Sequence, residues 1–216
     1  MGKHRLPEPV LRRHVRTSGS MSKLSRALGI ALTPASVGPL ERRPYPPGQH
    51  GRSRRKESDY RLRLLEKQRL RAQYAVSEAQ LRRTLATASR SGAKTGEVLV
   101  EELERRLDAV VLRSGIARTV QQARQFVSHG HVQVNGRTVD RPSYRVEVLD
   151  VVRVAPASRS LAPFVVAAAG GNAPEHVPPH LEVVLPALTV GVVARPRRAE
   201  LPVVCDEQLV VEHYSR

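Results

Sequence analysis

The stretch TVQQARQFVSHGHVQVNGRTV, residues 119–139, predicts a short helix followed by a β-hairpin. Thr119 is a favourable residue for capping the helix start, and Gly130 suits the position just beyond its end. Apolar residues fall on one face of this helix, at Val120, Ala123 and Val127. Around Asn135-Gly136 the residues alternate between apolar and polar, which is the strongest short-range hairpin signal. We therefore predict a helix over residues 119–128 and a hairpin with Asn135-Gly136 at its tip.

The residues before this stretch predict a longer helix that begins at Thr95. Apolar residues recur there at helical spacing, at Leu99, Leu103, Leu107 and Val110. The charged residues Glu101, Glu104 and Arg105 are expected on the opposite face. Ser114-Gly115 is expected to end this helix. A helix, a turn, a short helix and a hairpin together predict a small α+β domain.

Short apolar segments after the hairpin predict further strands. They are residues 151–154, 181–185, 190–194 and 209–211. Residues 167–179 are rich in Ala, Gly and Pro, and we expect a loop there.

Two helices are predicted before the α+β domain. Ser58-Asp59 is a good N-cap for a helix over residues 60–74, and Ser77 with Gln80 forms a capping box for a second helix. Residues 1–57 carry seven prolines, which exclude long helices. We expect an extended basic arm there, with a helical turn over residues 24–32.

The positive charge is concentrated in the first third of the chain. The net charge of the 216 residues is +16, and residues 1–75 hold 18 Lys and Arg against 5 Asp and Glu. This excess indicates a polyanionic partner, nucleic acid before an anionic membrane. A membrane span is excluded because the most apolar stretch, residues 183–193, is far short of the ~20 residues that a span needs. One cysteine and no signal-peptide pattern are typical of an intracellular protein, so we expect a cytoplasmic location.

Two segments resemble the signature of the ribosomal S4 RNA-binding domain. They are LDAVVLRSG at residues 107–115 and ARQFVSHGHVQVNG at residues 123–136. That domain also occurs in pseudouridine synthases, some tyrosyl-tRNA synthetases and small stress proteins, so it does not decide the function. The blocks PPGQHG at 46–51, SDY at 58–60, EKQRLR at 66–71, TGE at 95–97 and EQLVVEHYSR at 207–216 resemble the bacterial small-subunit ribosomal protein S4 family. This resemblance covers nearly the whole chain, in the family's order.

The resemblance implies a structural, non-enzymatic protein of the small ribosomal subunit. Members of the family bind the 5′ domain of 16S rRNA early in assembly, nucleate the subunit body, and contact ribosomal protein S5 at an interface that affects translational accuracy. They also line the channel through which mRNA enters. The partners implied are therefore small-subunit rRNA, S5, mRNA and other small-subunit proteins, without DNA or a membrane.

The chain is expected to divide into three parts. Residues 1–57 form the extended basic arm, and residues 58–94 form a helical lobe on which residues 196–216 pack. Residues 95–195 form a second lobe that contains the RNA-binding domain, with its core at 105–165.

The candidate RNA-binding residues are mostly arginines, whose planar guanidinium suits phosphate, together with polar residues near capped helix starts and tight turns. In the arm they are Arg42, Arg43, Gly48, Gln49, His50, Arg52, Arg54, Arg55 and Lys56. On the helix over residues 60–74 they are Tyr60, Arg63, Lys67 and Arg71. In the α+β domain they are Arg113, Arg118, Arg124, Gln125, Ser128, His129, Asn135, Gly136 and Arg137. For the S5 interface the candidates are Leu209, Val211 and Tyr214.

No metal and no cofactor are expected. Many members of the family carry N-terminal cysteines that bind zinc, but residues 1–45 contain no cysteine, and His14 alone cannot make a site. His176 and His180 have helical spacing, but Pro178-Pro179 between them opposes a helix.

Two other functional classes are weaker interpretations of the sequence. An enzyme would need a nucleotide loop or a catalytic cluster, and Cys205 among apolar residues is more typical of a core than of a nucleophile. A DNA-binding regulator is suggested by helix–turn–helix spacing around residues 114–119, but such proteins usually dimerise, and no dimerisation helix is evident. Preference for a structured rRNA junction over duplex DNA at equal salt discriminates these classes.

The charge distribution predicts a steep salt dependence of rRNA binding. Contact with six or more phosphates should give a log–log slope of affinity against salt of about −5 or steeper, because each contact releases condensed counterions. A filter-binding titration at several salt concentrations measures this slope, and a nearly flat dependence would refute the prediction.

Overall fold

The computed structural model describes residues 20–53 and 58–215, which form a helical lobe and an α+β lobe. The helical lobe is built on α3 (Asp59–Tyr74), α4 (Glu78–Ala88), α5 (Thr95–Glu104) and α9 (Glu207–Tyr214). Its core contains buried apolar side chains from each of these helices, among them Leu70, Leu81, Leu99 and Val210.

The predicted starts of α3 and α4 are confirmed. The Ser58 hydroxyl accepts a hydrogen bond from the Arg61 N–H at 3.3 Å. At α4 the Ser77 hydroxyl accepts from the Gln80 N–H, and the Gln80 side chain accepts from the Ser77 N–H at 2.9 Å. Both capping arrangements satisfy backbone donors that the first helical turn leaves free.

Two short helices lie within the segment that the prolines predicted to be extended. They are α1 (Met21–Leu28) and α2 (Val37–Arg42), joined by a 3₁₀ turn at Pro34–Ser36. Leu28 and Ile30 are buried against Ala72 of α3, which is a contact that only the folded chain supplies. The first 19 residues of the predicted arm lie outside the described residues.

The helix predicted from Thr95 to Ser114 is interrupted. It ends at Glu104 and resumes as α6 (Leu107–Arg113), because Arg106 adopts an extended backbone with φ −69° and ψ 141°. A distant segment satisfies the backbone at this break. The Leu107 N–H donates to the Tyr144 carbonyl at 2.8 Å, and the Val146 N–H donates to the Arg105 carbonyl at 2.9 Å. As a result, α5 packs in the helical lobe, whereas the sequence predicts residues 95–104 as part of the second lobe.

The α+β lobe contains an antiparallel sheet with the strand order β2-β1-β3-β5-β4. The strands are β1 (Val132–Val134), β2 (Arg137–Thr138), β3 (Val151–Val154), β4 (Leu181–Val184) and β5 (Thr189–Val192). One face of the sheet packs against α6, α7 (Val120–Ser128) and α8 (Ala162–Ala168). Val134, Val152 and Val190 lie opposite one another across three strands, and all are buried. The α+β class and the predicted strands at 151–154, 181–185 and 190–194 are thus confirmed.

The strand predicted at residues 209–211 is wrong, because these residues lie within α9. Asp206 caps this helix, and its carboxylate accepts from the N–H groups of Gln208 and Leu209 at 3.0 and 3.2 Å. Val210 is fully buried against α3 and α5. A local cap and tertiary burial therefore override the strand propensity of the valines.

None of the helices in residues 20–53 and 58–215 has the length and apolarity required to span a bilayer.

Gly96 lets α5 approach α9 closely, and we predict that Gly96→Ala destabilises the chain. A Cβ at this position would stand 2.7 Å from Cγ and 3.1 Å from Cβ of Glu207. Such overpacking costs about 1–3 kcal/mol. Ala gains ~1 kcal/mol over Gly only in a helix interior, and Gly96 lies in the first turn of α5, so the overpacking cost dominates. Urea denaturation measures the free energy of unfolding.

The matched control for this prediction is Gly96→Ala in a Glu207→Ala background. It should cost less than in the wild type, because contacting residues are not additive. Equal costs in the two backgrounds would mean that the contact with Glu207 is not the cause.

Candidate nucleic-acid interface

The helix start at α7 presents exposed polar groups on the α+β lobe. Thr119 caps α7, and its hydroxyl accepts from the Gln122 N–H at 3.2 Å. The Gln122 side chain accepts from the Arg118 N–H at 2.7 Å. This hydrogen bond orders the backbone at Arg118, whose guanidinium is the first cation of the α7 surface. The surface is exposed at Arg118, Gln125, Ser128 and His129. A helix start with a nearby guanidinium is a favourable place for a phosphate.

The hairpin tip has the predicted geometry. Asn135 and Gly136 have φ values of 49° and 80°, as a two-residue turn with two left-handed positions requires. The Asn135 side chain faces the protein, donating to Asp150 Oδ1 at 2.7 Å and accepting from the Val151 N–H at 2.9 Å. Asn135 thus ties the hairpin to β3. Asn135, Gly136 and Arg137 are all exposed, and their RNA contacts stay a prediction.

Glu104, which the sequence places on the helix face opposite the apolar residues, is fully buried. Its carboxylate accepts from Nη2 and Nε of Arg113 at 2.6 and 3.1 Å. The Tyr74 hydroxyl also donates to it, at 2.6 Å. Burial by itself would lower the pKa of Arg113, but the adjacent carboxylate raises it, so the guanidinium stays charged. Arg113 therefore neutralises a carboxylate of the protein, and its RNA contact stays a prediction.

A second buried carboxylate, that of Asp108, pairs with Arg124. Asp108 accepts from Nε and Nη2 of Arg106 at 2.9 and 2.7 Å, and Arg124 Nε lies 3.5 Å from the same carboxylate. Arg124 also donates to the carbonyl of Ala75 in the α3–α4 turn. Burial raises the pKa of Asp108, and the two guanidiniums oppose that rise. Arg124 thus links α7 to the helical lobe, and its RNA contact stays a prediction.

Glu78 forms ion pairs with two of the candidate RNA-binding cations on α3. Its carboxylate lies 3.4 Å from Lys67 Nζ and 3.0 Å from Arg71 Nη1, and it accepts from the Tyr214 hydroxyl at 2.7 Å. Lys67 is only 7% exposed, and burial lowers its pKa. Lys67 and Arg71 thus join α3 to α4 and α9, and their RNA contacts stay a prediction.

The start of α3 stays accessible. Tyr60 is 54% exposed, and its ring centroid lies 5.8 Å from that of His213 on α9. Arg63 pairs with Glu212 at 3.5 Å, which leaves Tyr60 as the more accessible of these two candidates.

A basic groove lies on the N-terminal segment. It is a cleft of about 350 Å³ lined by Ser22, Lys23, Arg26, Pro39, Arg42 and Arg43. Arg26 Nε donates to the carbonyls of Arg43 and Tyr45, both at 3.1 Å, and so joins α1 to the end of α2. Four cations around one cleft form a site for a polyanion. Lys23 and Arg26 are not among the RNA-binding residues predicted from the sequence, because only folding brings them close to Arg42 and Arg43.

The turn that follows this groove exposes the remaining candidates of the arm. Gly48, Gln49 and His50 are exposed. The Arg52 guanidinium lies 4.8 Å from the Tyr45 ring centroid and donates to its hydroxyl at 3.0 Å, so Tyr45 holds this cation at the surface. Arg54, Arg55 and Lys56 lie outside the described residues.

The predicted protein interface lies on α9. Leu209, Val211 and Tyr214 are each partly exposed, and Tyr214 is oriented by its hydrogen bond to Glu78. Two cations, Lys67 and Arg82, lie 5.6 and 5.7 Å from the Tyr214 ring centroid. The helix thus presents apolar surface beside positive charge.

Known protein families match this chain over most of its length. Residues 16–104 match the family model described as the ribosomal protein S4/S9 N-terminal domain, and residues 105–152 match the S4 domain. The chain is 60% identical to the small ribosomal subunit protein uS4 of Streptomyces coelicolor, over 90% of this chain and 96% of that protein. It is 56% identical to the uS4 protein of Clavibacter sepedonicus, over 91% of this chain and 95% of that protein. The boundary between the two family matches falls at the break between α5 and α6.

The buried ion pair predicts a large stability loss for Glu104→Gln. The substitution leaves Arg113 buried without a counter-charge, which costs about 3–5 kcal/mol. The control is Glu97→Gln, which breaks an exposed pair with Lys94 and should cost less than about 1 kcal/mol. Urea unfolding of both variants tests this difference, and equal small losses would show that Glu104 does not hold the lobes together.

Proposed function

Because this chain belongs to the uS4 family of small ribosomal subunit proteins, which are structural rather than catalytic, we propose that it binds the 5′ domain of small-subunit rRNA. In this role it is a primary binding protein that nucleates assembly of the subunit body. The rRNA is recognised at a folded junction, with one surface on each lobe.

The observation that carries this proposal is the separation of the cations into two groups. Cations between the lobes are neutralised by buried carboxylates, as Arg113 is by Glu104 and Arg124 is by Asp108. Cations on the outer surface, such as Arg42 in the basic groove and Arg118 before α7, remain exposed. The first group joins the lobes, and the second group is left to bind phosphates on both of them.

Recognition by shape fits the composition of these surfaces better than base stacking does. Aromatic residues make up only 3% of the chain, and the surface around α7 contains Arg118, Gln125, Ser128, His129 and Arg137. Such groups suit phosphate and 2′-hydroxyl contacts, by which proteins read double-stranded RNA.

The contacts with S5 and mRNA belong to the same proposal. The partly exposed side chains of α9, Leu209, Val211 and Tyr214, support an S5 interface that contributes to translational accuracy. Arg52, held at the surface by Tyr45, supports a basic lining for mRNA where it enters the subunit. Duplex DNA is not a partner in this proposal.

The test is a competition filter-binding titration on the 5′ domain, in which an exposed cation of the α7 surface is compared with an exposed cation outside the proposed surfaces. Arg118→Ala should weaken binding about 3–10-fold and reduce the salt slope by ~1, because one phosphate contact is lost. The control Arg90→Ala, in the exposed turn after α4, should leave the affinity unchanged within twofold. Excess duplex DNA and unrelated RNA should not displace the labelled 5′ domain. Displacement by either of them as efficient as by unlabelled 5′ domain would refute the proposal.

A further inference from the structure

The turn over Glu147–Asp150 holds an exposed leucine in an unfavourable backbone conformation. The Asp150 N–H donates to the Glu147 carbonyl at 3.2 Å, which closes the turn. Leu149, its third residue, has φ +77° and is 84% exposed. Glycine is the residue that normally occupies such a position, because a side chain there strains the backbone. A bulky apolar residue that is both strained and exposed indicates a role outside the folding of the chain.

Three hydrogen bonds fix this turn. The Leu149 N–H donates to the Val192 carbonyl at 2.7 Å, which attaches the turn to the end of β5. The Asp150 carboxylate accepts from the Glu147 N–H at 2.8 Å and from the Asn135 side chain at 2.7 Å. The backbone is therefore held in place, and the Leu149 side chain is presented to the exterior.

Leu149 borders an apolar strip on the outer face of the sheet. Val152 and Val190 point into the core, so Val151 and Gly191, which pair across β3 and β5, lie on the opposite face. Val151 is 42% exposed, and Val193 after β5 is 48% exposed. We call Leu149, Val151, Gly191 and Val193 the outer strip.

Gly191 makes a notch in the outer strip. Its φ is not positive, so the backbone does not require glycine. A Cβ there would meet Glu182 only at 3.9 Å, so internal packing does not require glycine either. A glycine within a strand is typical of a place where another chain approaches closely.

Carboxylates border the outer strip, although the chain carries a net charge of +16. Glu147 and Asp150 lie in the turn that presents Leu149, and Glu147 pairs there with Arg105. The arginine of β3, Arg153, donates to Gln133 of β1, on the side of β3 away from β5. Glu182 lies beside Gly191 in the sheet and, among the described residues, forms no ion pair within 4.0 Å. These carboxylates repel phosphates, and the outer strip has no aromatic ring on which a base could stack. An apolar surface edged by carboxylates instead complements a basic protein.

We propose that the outer strip is the docking surface for a basic neighbouring protein of the small subunit. The partner places an apolar side chain in the notch at Gly191, against Leu149 and Val193, and a lysine or arginine against Glu182. This inference rests on the proposed function, because the partner is met in the assembled particle.

The test is photocrosslinking in small subunits reconstituted from rRNA and small-subunit proteins, with benzoylphenylalanine replacing Val193. The expected product joins this chain to a peptide of another small-subunit protein that contains apolar residues and Lys or Arg. Leu149→Gly should lower the crosslink yield at least fivefold, while the Tm of the free chain stays the same or rises because strain is relieved. Leu149→Met, which keeps an apolar side chain, should retain the yield within twofold, and Glu182→Lys should lower it at least fivefold.

Four outcomes would overturn the docking surface. They are a crosslink to rRNA, a crosslink to a second copy of this chain, no protein crosslink from particles that contain the chain, and a yield unaffected by Leu149→Gly. Filter binding of the unmodified chain to the 5′ domain is measured in parallel. If the unmodified chain does not bind the 5′ domain, the proposed function is contradicted. If it binds the 5′ domain but no protein crosslink forms, the docking surface alone is contradicted.

Discussion

The buried contact of Glu104 with Arg113 is the interaction on which the arrangement of the two lobes depends. Glu104 ends α5 in the helical lobe, and Arg113 ends α6 in the α+β lobe. A buried carboxylate is costly to desolvate unless it is paired and hydrogen-bonded, and here Tyr74 of α3 supplies the further hydrogen bond. The same contact therefore orients three helices at once, and it needs the break at Arg106 to turn α6 away from α5.

This constraint explains why so many arginines of a basic protein do not face solvent. Asp108 forms an ion pair with Arg124, and Glu78 forms ion pairs with Lys67 and Arg71. Each of these cations joins one secondary-structure element to another, so part of the positive charge is used to hold the fold. The exposed part, in the groove at Arg42 and around Arg118, is then carried on lobes with a fixed relative position. Such preorganisation lowers the ordering cost of binding a folded RNA.

Local signals predicted much of the fold correctly. The caps at Ser58 and Ser77, the glycine after α7 and the Asn-Gly hairpin act within a few residues, and the sequence therefore displays them. Where the prediction failed, tertiary contacts contribute to the observed structure. The helix break at Arg106 is satisfied by residues 142–146, and α9 owes its helix to the Asp206 cap together with burial of Val210. For the site, residue type predicted a cation but not its partner. Arg113 and Arg118 look alike in the sequence, and only the position of Glu104 distinguishes them.

Directed cleavage of the 5′ domain by iron tethered to single cysteines tests most directly whether both lobes bind one RNA junction. Burial raises the pKa of the only native thiol, Cys205, to about 12, so an exposed engineered cysteine is labelled selectively. Gln49→Cys places the probe on the N-terminal segment, and Gln125→Cys places it on α7. The account predicts cleavage from both positions within the same helical junction. Cleavage from only one position, or cleavage scattered along the RNA, would contradict it.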